Sequence, residues 1–194
     1  MTSYPFSSAV PVFRPLTRHV RILATLMVVG PLLLASPALL FESGITGRLG
    51  LLASAGSIVG ALLLLAGMMR WIDWLTDART NAELMSDRPH RVGRGLMVVS
   101  WFIPIVNLVL PYLVLRDLWR ASLPESPARR FTLVELWWLV EVTMFVAVVV
   151  LKAPFVPQLN IWLLLAAAAF VHVAALIPVV VRISRAQEAW QAAR

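Results

Sequence analysis

Cysteine is absent from this 194-residue sequence, and histidine occurs only three times, as His19, His90 and His172. Without cysteine the chain has no disulfide framework, thiolate zinc site, iron–sulfur cluster or cysteine nucleophile. The histidines show no HxxxH or HExxH spacing, so the sequence predicts no metal site. It also lacks a lysine-containing phosphate loop and a serine in a nucleophile elbow. We therefore predict no catalytic residue and no cofactor, and an enzyme is the less favoured class.

Charge is also scarce. Charged residues make up 14% of the chain, hydrophobic residues make up 60%, and the mean hydropathy is +0.82. This composition predicts a chain that is surrounded mostly by lipid. The net charge of +7 comes from 16 arginines and one lysine against ten acidic residues. Arginines beside membrane spans are explained better by anionic lipid headgroups than by nucleic acid, so we predict membrane lipids as partners.

The apolar stretches have the length of membrane spans. About 20 predominantly apolar residues cross about 30 Å of hydrocarbon as a helix. Four stretches predict such helices, over about residues 22–41, 49–72, 133–151 and 161–181. Tryptophan-containing segments predict interfacial helices over about 73–86, 116–122 and 184–194. The sequence therefore predicts an all-α, polytopic helical bundle that forms one membrane domain over residues 1–194.

A further apolar segment, about residues 95–115, contains Pro104, Asn107 and Pro111. Each proline leaves a carbonyl one turn earlier without its helical donor and disfavours helix at the residue before it. Two alternatives follow. The segment is re-entrant, or it is a kinked fifth span whose polar and proline stripe, which begins at Ser100, faces the bundle.

The distribution of basic residues favours the re-entrant alternative. Fifteen of the 17 lysines and arginines fall into four groups, within 14–21, 70–94, 116–130 and 182–194. A full crossing by the segment would place two groups on each side of the membrane, against the positive-inside rule. A re-entrant segment places all four groups in the cytoplasm. We therefore predict four crossings, with both termini cytoplasmic.

Ionisable residues within the predicted spans are the first candidates for function. Glu141 lies 11 residues before the connection between the last two spans, and His172 lies 12 residues after it, so we expect them at matching depth. A carboxylate–imidazole pair in a membrane can hold, relay or sense a proton. The alternative is a hydrogen-bonded pair that only locks two helices together. Asn107 is the third candidate polar residue.

The second predicted span contains Gly56-x-x-x-Gly60, a spacing of small residues that lets two helix backbones approach closely. Packing against another span of the same chain is the favoured interpretation of this spacing. A dimer interface is the alternative.

Several residues between about 70 and 140 form a pattern: Trp74, Arg79 and Asn81, then WFIPIVNLVLPY from Trp101 to Tyr112, LWRAS from Leu118 to Ser122 with Trp119 and Arg120, and the Trp137-Trp138 pair. This pattern resembles the bacterial family described as domain of unknown function 4328. The resemblance implies a multi-span membrane protein and no particular activity. Where that family often has a bulky residue after the asparagine, this chain has leucine.

These observations favour an accessory module of the bacterial cytoplasmic membrane that binds lipid or another membrane protein. The competing hypothesis is a small transporter or proton-coupled protein that uses Glu141, His172 and Asn107.

Overall fold

The structure, a computed structural model, describes residues 12–42, 44, 47–123, 131–151 and 161–194. Within these ranges the chain is helical apart from short connections and contains no strand. Its helices are α1 (Thr17–Glu42), α2 (Arg48–Met85), α3 (Arg94–Val99), α4 (Pro104–Asn107), α5 (Leu110–Ser122), α6 (Leu133–Leu151) and α7 (Ile161–Ala192). Three residues that contribute to the charge distribution, Arg129, Arg130 and Lys152, lie outside the described residues.

Four helices, α1, α2, α6 and α7, are long and apolar enough to cross a membrane, as judged by length and composition. They contain 26, 38, 19 and 32 residues. Large apolar side chains such as Leu51, Leu62 and Phe145 are exposed along them, which suits a lipid environment rather than water. The predicted all-α architecture with four helices of spanning length is confirmed.

Helix ends meet at one end of the bundle, which we call the basal end. Here α1 and α6 begin and α2 and α7 end. The Glu188 carboxylate of α7 accepts hydrogen bonds from the backbone N–H groups of Leu16 (3.0 Å) and Thr17 (2.8 Å), and so caps the first turn of α1. Trp74 Nε1 of α2 donates to Ser184 Oγ of α7 at 3.0 Å. Members of all four arginine groups lie near this end, because Arg14 pairs with Asp77 of α2, Arg88 donates to the carbonyl of Arg120 in α5, and Arg185 follows Ser184 in α7.

Buried polar groups at the basal end also join distant parts of the chain. The Asn81 amide donates to the carbonyl of Arg14 (2.8 Å) and accepts from the backbone N–H of the same residue (2.9 Å). Gln187 Nε2 donates to the carbonyl of Ala78 (2.9 Å) and to Ser122 Oγ (2.8 Å). Burying such groups is costly unless they are paired, and these pairs therefore specify how α2, α5 and α7 are arranged.

The segments predicted as interfacial helices are parts of longer helices. Residues 73–85 continue α2 without a break, 116–122 belong to α5, and 184–192 continue α7. At 1.5 Å per residue, α2 is about 57 Å long, well beyond the hydrocarbon thickness. Its last turns bury Trp74, Leu75, Ala78 and Ala82 against neighbouring helices. Because this apolar face packs on protein, residues 73–85 continue α2 as one helix and do not form a separate interfacial helix.

The close approach of α1 and α2 depends on glycine. A Cβ added to Gly60 would lie 2.6 Å from the backbone nitrogen of Leu34 and 2.7 Å from the carbonyl oxygen of Gly30, both in α1. A Cβ added to Gly56 would meet only Ser36 Oγ, at an ordinary 3.6 Å. This face of α2 therefore packs within the chain, and Gly60 is its point of closest contact.

The proline-containing segment is broken into three short helices, α3, α4 and α5, of 6, 4 and 13 residues. None is long enough to cross about 30 Å. The two ends of the segment lie side by side. The Arg91 guanidinium binds Asp117 Oδ1 through Nε (2.9 Å) and Nη2 (2.6 Å), and Arg88 Nη1 donates to the carbonyl of Arg120 (3.2 Å). Residues 94–122 therefore form a helical hairpin, which we call the hairpin.

Candidate functional site

A cavity of about 420 Å³ lies where the hairpin meets α6 and α7. Apolar and aromatic side chains dominate its lining, and a few polar groups converge on it. Its lining residues are Trp101, Asn107, Leu108, Trp137, Trp138, Glu141, Val142, Met144, Phe145, Val148, Ala168, Ala169 and His172. All three polar residues singled out from the sequence, Glu141, His172 and Asn107, therefore share one cavity.

Glu141 and His172 are in direct contact. Nδ1 of the imidazole lies 2.6 Å from Oε1 of the carboxylate, and both side chains are partly buried. The contact joins α6 to α7. It involves one of the two carboxylate oxygens, and both residues still line the cavity. The pair can therefore interact with a bound molecule as well as with each other.

Asn107 reaches the cavity from the hairpin, at the end of α4. The hairpin is attached to α6 at this level, because Trp138 Nε1 donates to the carbonyl of Leu108 at 2.9 Å. Ser100 is buried, whereas Asn107 is exposed. The break between α3 and α4 separates these two residues, so the continuous stripe expected for a kinked helix is not formed.

Aromatic rings connect the basal end to the cavity. Trp74 stacks on Trp71 at a centroid distance of 5.0 Å, and Trp71 meets Trp101 edge to face at 4.9 Å. Trp101 lies 6.3 Å from Trp137, whose ring is in turn 6.3 Å from the His172 imidazole. These distances are typical of aromatic pairs. The hairpin is thus held between α2 and α6 by rigid side chains.

The sequence pattern contains Trp137 but not Trp71, and sequence reasoning identified neither as a neighbour of the site. Trp137 precedes Glu141 by four residues and so lies on the same helix face. This spacing is the signal that would have identified Trp137. Trp71 had no such signal, because its neighbour Trp101 lies on another element.

The pattern residues of α2, and Trp119 of α5, lie at the basal end rather than in the cavity. Trp74 and Asn81 are fully buried, and Arg79 is nearly so. The Arg79 guanidinium donates to the carbonyl of Val92 and, at 2.9 Å, to Glu83. Trp119 packs against the core. The remaining pattern includes residues that line the cavity, namely Trp101, Asn107, Leu108, Trp137 and Trp138. The pattern residues of α2 and α5 therefore maintain the architecture, and those of the hairpin turn and α6 form part of the site.

A second, basic groove of about 460 Å³ lies beside the two ends of the hairpin, lined by Arg88, Pro89, His90, Arg91, Asp117 and Arg120. Burial lowers the pKa of His90 below its ordinary value, and the positive charge of Arg79 lowers it further. Glu83 and Asp117 act in the opposite direction but do not outweigh these effects. His90 therefore favours its neutral form.

The chemistry available in the cavity is hydrogen bonding, proton exchange and contact with apolar or aromatic surface. Within the described residues no group of three or more histidine, aspartate or glutamate side chains is placed to hold a metal ion. Glu141 and His172 alone are two ligands, fewer than a protein metal site normally supplies.

Four helices of spanning length, buried polar pairs between them and a broken apolar hairpin define an all-helical, polytopic membrane protein. The family model for the domain of unknown function DUF4328 matches residues 46–188 of the chain. The chain belongs to this family, and the match extends well beyond the stretch of about 70–140 on which the resemblance rested. Comparison with curated proteins and with solved structures finds no match.

Proposed function

We propose that this protein is a membrane-embedded binding module that holds an amphiphilic molecule in the cavity between the hairpin, α6 and α7. The observation that carries this proposal is the cavity itself. Its volume of about 420 Å³ and its apolar lining with a few convergent polar groups are typical of small-molecule sites. Asn107, Glu141 and His172 would bind the polar part of the molecule, and the aromatic and aliphatic side chains its apolar part.

We further propose that the hairpin is re-entrant, that both termini are cytoplasmic, and that the protein resides in the cytoplasmic membrane of a bacterium. The pairing of Arg91 with Asp117 supports the first part, because residues on opposite sides of a membrane would be about 30 Å apart. The convergence of the described arginine groups at the basal end supports the orientation, since positive charge accumulates on the cytoplasmic side.

Cysteine accessibility tests this topology in a chain that has no native cysteine. Asp87 and Phe131 are exposed positions before and after the hairpin, and Arg48 is exposed at the opposite end of α2. In intact cells a membrane-impermeant thiol reagent should label Arg48→Cys and spare Asp87→Cys and Phe131→Cys. Both spared variants should react once the cells are opened. Labelling of Phe131→Cys in intact cells, with Asp87→Cys still spared, would show that the segment crosses.

The binding proposal is tested with a long-chain alcohol that carries a photoreactive diazirine, in nanodiscs that contain the full chain. We expect saturable labelling of cavity residues such as Phe145 and Ala169, located by peptide mapping. Ala169→Phe should lower this labelling about tenfold or more, because the added ring occupies the cavity. Ala167→Phe is the matched control, since Ala167 is exposed and does not line the cavity. Labelling that never saturates, or that Ala169→Phe leaves unchanged, would refute the proposal.

The 2.6 Å contact between Glu141 and His172 favours a second candidate, a proton-coupled transporter. Glu141→Gln separates the two functions, because glutamine can still hydrogen-bond to the imidazole but cannot exchange a proton. A binding module should keep its saturable labelling by the alcohol. If the protein is a proton-coupled transporter, solute uptake into proteoliposomes should depend on a pH gradient in the wild type and lose this dependence in Glu141→Gln.

A further inference from the structure

We infer that the cavity selects a lipophilic organic cation, such as an amphiphile with a quaternary or protonated amine. This inference rests on the proposed binding function and names the chemical class of the molecule bound. It follows from where the Glu141 carboxylate lies among the aromatic side chains of the same cavity.

On α6 the carboxylate is flanked by aromatic residues on its own helix face. Trp137 lies four residues before Glu141 and Phe145 four residues after it, which places one ring a turn below and one a turn above. Trp138, three residues before Glu141, also lines the cavity, and Trp101 enters from the hairpin. Three indoles and one phenyl ring thus share a cavity with one carboxylate.

Aromatic faces and a carboxylate have the same electrostatic preference. The quadrupole of an indole or phenyl ring attracts a cation, and aromatic cages recognise quaternary ammonium groups in this way. A carboxylate adds direct attraction, which is stronger at low dielectric than in water. A neutral or anionic ligand would gain neither interaction and would have to approach the acidic group.

The groups that surround Glu141 do not offset this preference for a cation. No lysine or arginine is among the described residues that line the cavity. The nearest partner of Glu141 is His172, a group that is charged only when protonated, and it contacts one carboxylate oxygen. A permanent cation can therefore approach the other oxygen while its apolar part lies against Leu108, Val142 and Val148.

The test compares benzyltrimethylammonium with neopentylbenzene, which has the same shape but carries no charge. Each compound competes with the diazirine alcohol for the cavity in nanodiscs, and competition is expressed per amount partitioned into the nanodisc. We expect the cation to compete about tenfold more strongly than its neutral isostere. Glu141→Gln should remove most of this difference, and Phe145→Leu, which keeps apolar bulk without the aromatic face, should reduce it.

The far-ultraviolet circular dichroism spectrum of each variant serves as the folding control, because neither Glu141→Gln nor Phe145→Leu should change the helical content. If the cation and its isostere compete equally in the wild-type protein, or if Glu141→Gln binds the cation as the wild type does, the inference is wrong and the binding proposal stands. If the wild-type protein shows no saturable labelling, the binding proposal fails and the inference falls with it.

Discussion

Replacing Gly60 with alanine is expected to destabilise the protein by about 1–3 kcal/mol or more, as overpacking of a tight contact does. The new methyl group would lie 2.6 Å from the backbone nitrogen of Leu34 and 2.7 Å from the carbonyl oxygen of Gly30. Both atoms belong to the backbone of α1, and neither can move aside as the end of a side chain can. Helices α1 and α2 would have to separate along the most extensive helix contact in the described part of the chain.

Gly56→Ala is the matched control, one helical turn away on the same helix. Its methyl group would make only an ordinary contact with Ser36 Oγ, at 3.6 Å. Alanine favours helix over glycine by about 1 kcal/mol, so this variant should match the wild type or slightly exceed it in stability. Thermal unfolding in one detergent measures both variants. Equal destabilisation would mean that the small-residue face as a whole matters, and not the single close contact at Gly60.

Trp74→Ala should destabilise the basal end by about 3–5 kcal/mol, the range for removing a buried tryptophan. The indole is 0% exposed and stacks on Trp71 at 5.0 Å. Its N–H group is the hydrogen-bond donor to Ser184 in α7. The substitution therefore leaves a large void and removes a partner from a buried hydroxyl group.

Trp190→Ala is the control for the loss of a tryptophan as such. Trp190 is partly exposed near the carboxyl end of α7, where it stacks on Phe13 at 6.4 Å. Its removal should cost about 1 kcal/mol or less. Denaturation in mixed micelles, followed by circular dichroism, gives both free energies of unfolding. A loss from Trp74→Ala no larger than that from Trp190→Ala would contradict the contribution of the buried Trp74 side chain to the stability of the basal end.

Gly60 and Trp74 both lie away from the cavity. The two predictions therefore concern the stability of the helix bundle and not ligand binding. Trp74, Arg79 and Asn81 join α2 to other parts of the chain. Trp101 connects this scaffold to the cavity through its contacts with Trp71 and Trp137. A family pattern rich in tryptophan and arginine therefore describes mainly how the hairpin is anchored. Of the three polar residues that line the cavity, Asn107 belongs to that pattern, whereas Glu141 and His172 lie outside it.

Several features of the protein were determined by the sequence alone, because they depend on composition and local spacing. Apolar stretches of spanning length predict the four long helices. Pro104 and Pro111 predict a break in the apolar segment that lies between the second and third of these helices. Counting residues from the connection between the last two spans placed Glu141 and His172 at the same depth. Each of these inferences uses only the rise of a helix, the chemistry of proline and the cost of burying charge.

How these parts face one another depends on tertiary packing and could not be predicted from the sequence. Depth follows from counting, but the rotation of α6 and α7 that brings Glu141 to His172 depends on packing between distant residues. Likewise, α2 continues past the expected end of its span because Trp74 and Ala78 form hydrogen bonds with residues of α7. The packing of Gly60 on α1 is also a contact between different helices. The pairing of Arg91 with Asp117 at the ends of the hairpin is also a contact across 26 residues. Local propensity says nothing about such non-local contacts, whose free energy depends on the whole fold.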